Sequence, residues 1–400
     1  MLLPFAMGYL LSYLFRTAAG SIGEQLVGAF DLGAPGLGLL TATYFLFFAA
    51  CQLPVGVLLD RFGPRSVQPA LMGVAAMGML QFALAGGMPG LLIGRALIGI
   101  GTAGALMAGL KALSLAVPTE CLALANGCMV MFGGLGAMAS TVPVALLAGW
   151  LGWRGMFFML AAANLAVAAW IRATPPSPRA AGPQSWGDAI AGMALILRDP
   201  AFWRLAPLSS MVIGTAFALH GPWAARWMGD VDGVEPDDVT WFMLLMGGSL
   251  TLGAGTIGLA ANALRQRGIT TRSLFGAAAA VFALVQACLL LRGPLPDWLL
   301  WAIMAAFGAM TVLSYSIVAD LFPPALTGRA NGALNVLHIG GAFVLQGGIG
   351  AVIGLWGRDR AGQYSAQGYE TALALPLVLQ VAALLWFMRP ALARQPRRMV

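Results

Sequence analysis

The stretch GVLLDRFGPR, residues 56–65, puts an aspartate, two arginines, a glycine and a proline between two long apolar runs. The runs cover residues 35–59 and 66–86. Each is long enough to cross a bilayer, because a helix of roughly 20 apolar residues spans a hydrocarbon core of about 30 Å. The decapeptide therefore predicts a tight turn at which the chain leaves the membrane and enters it again.

The whole chain repeats this pattern. Of its 400 residues 60% are hydrophobic and 9% charged, whereas soluble domains carry about 25% charged residues. This composition predicts an all-α membrane protein with twelve transmembrane helices. The predicted spans are 3–27, 35–59, 66–86, 90–116, 124–149, 155–173, 204–226, 239–263, 273–292, 297–319, 328–355 and 370–388.

The loop charges predict the orientation. On one side the loops hold only Arg154, Arg226, Arg292, Arg358 and Arg360, while the remaining loop and tail arginines lie on the other. Because cytoplasmic loops are enriched in Lys and Arg, both termini are expected in the cytoplasm, with the chain in the inner (plasma) membrane. The net charge of +7 is explained by this asymmetry, so we expect no nucleic-acid partner.

The two halves of the chain repeat at a constant offset. LANGCMVMFGGLGAM begins at Leu124 and RANGALNVLHIGGAF at Arg329, and 329 − 124 gives 205. The same offset places Gly63 on Gly268, and Asp60 on Arg265. A parallel repeat of six helices plus six is predicted. The predicted units are an N-terminal bundle (1–173), a cytoplasmic linker (174–203) and a C-terminal bundle with a short tail (204–400).

Three motifs resemble the major facilitator superfamily of secondary transporters. Residues 56–65 are similar to its loop motif between the second and third helices, although Pro64 stands where the family usually has a basic residue. Residues 94–101, GRALIGIG, and 152–157, GWRGMF, resemble two further motifs. The resemblance covers nearly the whole chain and implies alternating access between two bundles. It also implies a cytoplasmic gate formed by Gly56, Asp60, Arg61, Gly63 and Arg65.

Four charged residues stand out because they lie well within predicted spans rather than near their ends: Arg16, Glu24, Arg95 and Lys111. A charge in the hydrocarbon core costs several kcal/mol, so each is a candidate functional residue. Arg16 lies midway along the first span, and its planar fork of donors suits a carboxylate or phosphate. Organic-anion branches of the superfamily place an arginine comparably. The alternative is a structural ion pair inside the bundle.

Further candidates are polar or aromatic residues in several spans, and one of them is related to Arg16 by the repeat. Adding 205 to 16 gives residue 221, next to His220, which can titrate near neutral pH. Each polar or aromatic candidate has an alternative role in helix packing or interhelical hydrogen bonding, and Lys111 can also snorkel to the interface. The predicted substrate-binding residues are Arg16, Tyr13, Tyr44, Lys111, His220, Trp223, Asn335 and His338. Glu24, His220 and Arg95 are predicted to couple protons.

These observations predict secondary active transport of a small anionic organic solute, coupled to protons or to a counter-solute. The three cations against one acid in the spans favour an anion. The chain has no phosphate-binding loop, and Cys51, Cys121, Cys128 and Cys288 lack metal-ligand spacing. We therefore expect no cofactor, no metal and no enzymatic activity. We also expect a monomer in the lipid bilayer. Two alternatives stay open. One is drug or metabolite efflux by proton antiport, which is disfavoured because Pro143 falls late in the fifth span and does not match the proline-containing glycine motif of many drug/proton antiporters. The other is a non-transporting sensor or assembly protein.

Overall fold

The computed structural model describes residues 2–116, 119–174, 194–322, 324–358 and 363–389, together with residue 187. These ranges are helical apart from short turns and one isolated bridge between Arg358 and Tyr364. The helices are α1 (Leu2–Ser21), α2 (Gly23–Phe30), α3 (Ala34–Phe62), α4 (Pro64–Ala83), α5 (Met88–Thr102), α6 (Ala105–Ala116), α7 (Thr119–Ala139), α8 (Val142–Ala173), α9 (Pro200–Ala218), α10 (Ala224–Asp230), α11 (Pro236–Gln266), α12 (Thr271–Leu290), α13 (Asp297–Gly308), α14 (Thr311–Leu321), α15 (Pro324–Gly354) and α16 (Ala366–Met388).

These helices form the twelve predicted segments, so the all-α, twelve-helix prediction is confirmed. Five segments are broken: the first into α1 and α2, the fourth into α5 and α6, the fifth between α7 and α8, the tenth into α13 and α14, and the seventh by a π-helical turn, Leu219–Trp223, between α9 and α10. Helix α8 contains a kink at Gly152 and covers the end of the fifth segment and all of the sixth. By length and composition, seven helical stretches of the described residues can each cross a membrane.

The backbone carries the repeat that the sequence predicts. Gly63 and Gly268 join consecutive segments with φ of 77° and 84°. Gly152 and Gly357 both have φ of 66°, and each pair is separated by 205 residues. Such positive φ values are accessible to glycine at little cost. The same turn geometry at the same offset in both halves confirms two pseudo-symmetric bundles.

Each bundle has its own apolar core. One core consists almost entirely of residues from α1–α8, and the other of residues from α9–α16. Most of the predicted linker, residues 175–186 and 188–193, lies outside the described residues. A functional site between the two bundles depends on the surface along which the bundles meet.

Helices α3 and α15 form the main seam between the bundles. They run antiparallel, and Gly38 and Gly350 bring their backbones together: a Cβ on Gly38 would lie 3.2 Å from the Cα of Gly350. Gln346 donates a hydrogen bond to the Thr41 hydroxyl across this seam, at 2.9 Å. We call the end of the bundles at residues 31–33 and 355–358 the outer end, following the predicted orientation.

The outer end of the seam is also held by polar contacts. Tyr364 accepts a hydrogen bond from the backbone N–H of Ala34, at 2.7 Å. Arg358 donates to the Leu32 carbonyl and, at 3.1 Å, to the Tyr364 hydroxyl. One bundle thus clasps the turn that precedes α3 in the other, which leaves the outer end of the seam closed.

Candidate functional site

Arg16 lies about 21 Å from the start of α1, near the middle of the bundle. Its guanidinium carbon is 4.6 Å from the ring centre of Tyr13, 4.9 Å from that of Phe48 and 5.1 Å from that of Phe217. These rings come from α1, α3 and α9, so both bundles contribute. A cation over aromatic faces is attracted by the ring quadrupole. The half-buried charge is therefore held at the junction of the bundles by aromatic rings.

Arg16 has no carboxylate partner among the side chains that the structure describes. The arginines in described ion pairs are Arg226, Arg292 and Arg358, and all three lie near the outer end. The Nε of Arg16 is buried without a hydrogen-bond partner. Glu24 belongs to α2, but its side chain lies outside the described residues. A half-buried cation without a described counter-charge makes Arg16 a candidate binding point for an anion.

Arg95 lies directly behind Arg16. Its side chain is 2% exposed, and Nη1 donates to the carbonyl of Phe15 at 3.1 Å. Its guanidinium carbon lies 5.1 Å from the ring centre of Tyr44. Arg95 thus fixes the backbone of α1 one residue before Arg16. In this conformation it is screened from solvent, which suits a positioning role better than direct contact with a solute.

Tyr44 ties three helices together beside these arginines. Its hydroxyl lies 2.9 Å from that of Thr102 on α5. Ser12 on α1 donates to the Thr102 carbonyl at 3.3 Å. Because Tyr44 is fully buried, it supports the site from behind.

A chain of amide hydrogen bonds crosses between the bundles nearby. The Tyr315 hydroxyl donates to Oδ1 of Asn335 at 3.1 Å, and Nδ2 of Asn335 donates to Oε1 of Gln52 at 3.0 Å. Gln52 in turn donates to the Ala103 carbonyl at 3.2 Å. Asn335 was predicted from the sequence, whereas Gln52 was missed. The signal that points to Gln52 is an amide in the middle of an apolar span.

The two histidines take different positions. His338 is 1% exposed, and its Nε2 lies 2.7 Å from the Ser209 hydroxyl. Its ring meets that of Tyr315 edge to face at 5.7 Å. His338 therefore links α15 to α9 and buttresses Tyr315. His220 lies in the π-helical turn, and its side chain falls outside the described residues.

Trp223 and Lys111 are not seen in contact with Arg16. Trp223 is buried in the α3–α15 seam, where its Cζ2 would lie 3.3 Å from a Cβ on Gly38 and 2.9 Å from one on Gly350. Lys111 is half-buried on α6. The structure thus brings together Arg16, Tyr13, Tyr44 and Arg95, with Asn335 and His338 on the facing bundle.

The predicted gate motif forms the turn between α3 and α4. Gly63 supplies the bend with φ of 77°, and Arg61 is exposed. Arg65 donates from Nε and Nη2 to the carbonyl of Arg172 at the end of α8, at 3.1 and 2.9 Å. Arg65 is thus bound within its own bundle in this conformation. Gly56 lies in α3, and the side chain of Asp60 is outside the described residues.

A cluster of charges lies at the outer end of the C-terminal bundle. Arg292 is 2.9 Å from Asp232 and 3.4 Å from Asp297, and Glu370 is 3.8 Å away. Burial, followed by the charge of Asp297, raises the pKa of Asp232 to about 6, although Arg292 opposes the shift. The folded protein therefore holds this proton more tightly than the unfolded chain.

We expect Asp232→Asn to flatten the pH dependence of stability. The stabilising contribution of a raised carboxyl pKa is complete below the unfolded value of 3.8 and is lost as pH rises through about 6. Two pH units correspond to about 3 kcal/mol, which solvent screening reduces to about 1 kcal/mol. Melting temperatures of the purified protein between pH 4 and 7 provide the measurement. Asp237→Asn, in the exposed first turn of α11, should keep the wild-type profile; an unchanged profile in Asp232→Asn would refute the assignment.

Comparisons with known proteins agree with this architecture. A family model described as the Major Facilitator Superfamily matches residues 5–346. The chain belongs to this superfamily. Membership places it among multi-pass membrane transporters rather than enzymes.

Solved structures share the fold over nearly the full length. A bacterial homologue of the human lysosomal transporter Spinster, inward-facing and unoccupied, aligns with a TM-score of 0.79 at 18% identity, covering 96% of this chain and 95% of that one. A D-xylose–proton symporter aligns with a TM-score of 0.73 at 15% identity, covering 97% and 96%. These similarities concern the fold.

Two curated relatives match a shorter stretch. A probable sulfoacetate transporter of Cupriavidus necator is 26% identical over 157 residues, which is 39% of this chain and 36% of that protein. An uncharacterised transporter of Bacillus subtilis is 30% identical over 156 residues, with the same two coverages. The matched part of the chain thus spans just over a third of each relative's length.

Proposed function

We propose that the protein is a secondary active transporter of a small organic anion. The observation that carries this proposal is Arg16: a half-buried guanidinium at the junction of the bundles, with aromatic neighbours and no described carboxylate partner. A planar fork of donors matches a carboxylate or sulfonate. The name of the Cupriavidus relative, a probable sulfoacetate transporter, supports an anionic solute.

The way the bundles meet supports alternating access. Here the α3–α15 seam is closed at its outer end by glycine contacts and by the Arg358–Tyr364 clasp. We propose that the bundles, residues 1–173 and 204–400, rock about the site so that this seam opens when the opposite side closes. A proton or a counter-solute would drive the cycle, with Glu24, His220 and Arg95 as the candidate coupling residues.

Solute flux into proteoliposomes tests the proposal. The purified full chain is reconstituted, and uptake of labelled sulfoacetate, succinate and butyrate is followed with unlabelled anion inside or with an inward proton gradient. We expect at least one anion to accumulate under one of the two driving forces. Efflux of apolar cations without anion flux would favour the drug-efflux alternative, and anion binding without flux would favour a sensor. Either result would refute anion transport.

A further inference from the structure

The amide pair of Gln52 and Asn335 lies close to Arg16 in depth. Gln52 is 18 residues after the start of α3, about 27 Å from its outer end. Arg16 is 14 residues before the outer end of α2, or about 21 Å. Counted along the two helices from their outer ends, Gln52 is thus about 6 Å, or one helical turn, farther than Arg16 toward the predicted cytoplasmic side. Tyr315 donates to Asn335 and meets the ring of His338 edge to face.

The hydrogen bonds of this pair leave donors for a ligand. A terminal amide has two N–H donors. Gln52 uses one for the Ala103 carbonyl, and Asn335 uses one for Gln52. Each amide therefore has a second N–H without a described acceptor; Asn335 is half-buried, whereas Gln52 is 5% exposed in this conformation. These groups can donate to an oxygen of a solute that is already paired with Arg16.

We infer that the solute is bifunctional: a short organic anion whose charged group binds Arg16 and whose second, hydrogen-bond-accepting group binds the amides of Gln52 and Asn335. The inference rests on the proposed function and narrows its substrate class. The offset of about one helical turn between the two backbone positions favours a short chain between the two groups of the solute. Gln52 is then a specificity-determining residue, because it recognises the end of the solute that a simple monocarboxylate lacks.

A purely structural role for the pair predicts a different result. Gln52 and Asn335 come from opposite bundles, so their bond also holds α3 against α15. If that were its whole role, loss of Gln52 would change the affinity for every anion equally. If it recognises the second group, loss of Gln52 weakens only anions that carry this group. The ratio of two affinities therefore separates the roles.

The experiment compares matched anions on the purified protein by calorimetry: succinate with butyrate, and sulfoacetate with ethanesulfonate. We expect the wild type to prefer the bifunctional member of one pair by about tenfold, the effect of one hydrogen bond to a charged group. Gln52→Met, which keeps the length of the side chain, should bring the ratio near one and leave the affinity for the monofunctional anion unchanged. Asn335→Leu should lower the ratio in the same direction.

Gln346→Met is the matched control, because it removes another amide bond across the same seam, to Thr41, nearer the outer end. It should keep the wild-type ratio. Equal loss for both members of a pair in Gln52→Met, or a wild type that binds monofunctional and bifunctional anions equally, would overturn the inference while leaving anion transport intact. A wild type that binds no anion would overturn the proposed function as well.

Discussion

Replacing Arg16 with glutamine is expected to lower the affinity for small organic anions by about 100-fold and to abolish their uptake. The substitution keeps a polar side chain of similar reach but removes the charge and the planar fork. A charge-assisted hydrogen bond contributes roughly 1.5 to 3 kcal/mol, and because the glutamine amide can still donate one hydrogen bond, the net loss of one such bond accounts for a change of about 100-fold. Arg16→Lys retains the charge without the planar fork of donors, so its anion affinity should lie between those of the wild type and Arg16→Gln. Equilibrium binding and initial uptake rates are the measurements.

The same variant tests whether Arg16 is instead part of a structural ion pair. Breaking a buried pair costs about 3 to 5 kcal/mol, because the partner charge is left alone. No described carboxylate pairs with Arg16, so Arg16→Gln should melt at or above the wild-type temperature. Arg61→Gln, at an exposed arginine, is the control and should preserve both affinity and stability. A large fall in stability with retained anion affinity would contradict the anion site.

The fold was predictable because the features that determine it, apolar stretches and a repeat, can be recognised directly along the sequence. Apolar stretches set the twelve segments, and the offset of 205 residues between Gly63 and Gly268 reappears as matching turn geometry. The breaks within segments were less accessible. A π-helical turn shifts the register of the side chains after it. The offset that relates His220 to Arg16 in the sequence therefore does not predict which residues His220 contacts.

The candidate site was most readily predicted where charge marks it. Arg16 and Arg95 stand out because a charge in hydrocarbon is costly. An amide within an apolar span, such as Gln52, is a weaker signal than a charge, and its role depends on the register between α3 and α15 that places Asn335 at 3.0 Å. The contacts of His338 and Trp223 could not be predicted from the sequence either: His338 lies 2.7 Å from the Ser209 hydroxyl, and Trp223 packs on the seam glycines.

The second large effect is expected at Gly350. A Cβ at this position would lie 2.6 Å from the Ala34 carbonyl oxygen, 2.9 Å from Trp223 and 3.0 Å from the Cα of Gly38. Backbone atoms on α3 cannot yield as a flexible side chain can, so the seam has to open to admit a larger residue. Gly350→Val should therefore hold the outer end of the bundles apart.

If the outer end of the seam cannot close, a specific pattern of results is expected. We expect Gly350→Val to lower uptake at least about tenfold, since alternating access requires the outer end to close, while anion binding in detergent is retained. In a cysteine-free background, Thr41→Cys should react faster with a membrane-impermeant maleimide when Gly350→Val is present. Gly348→Val, two residues earlier on α15, is the matched control, because a Cβ there meets nothing within 4 Å. Wild-type uptake by Gly350→Val, or equal loss in both variants, would show that closing this seam is not a step of transport.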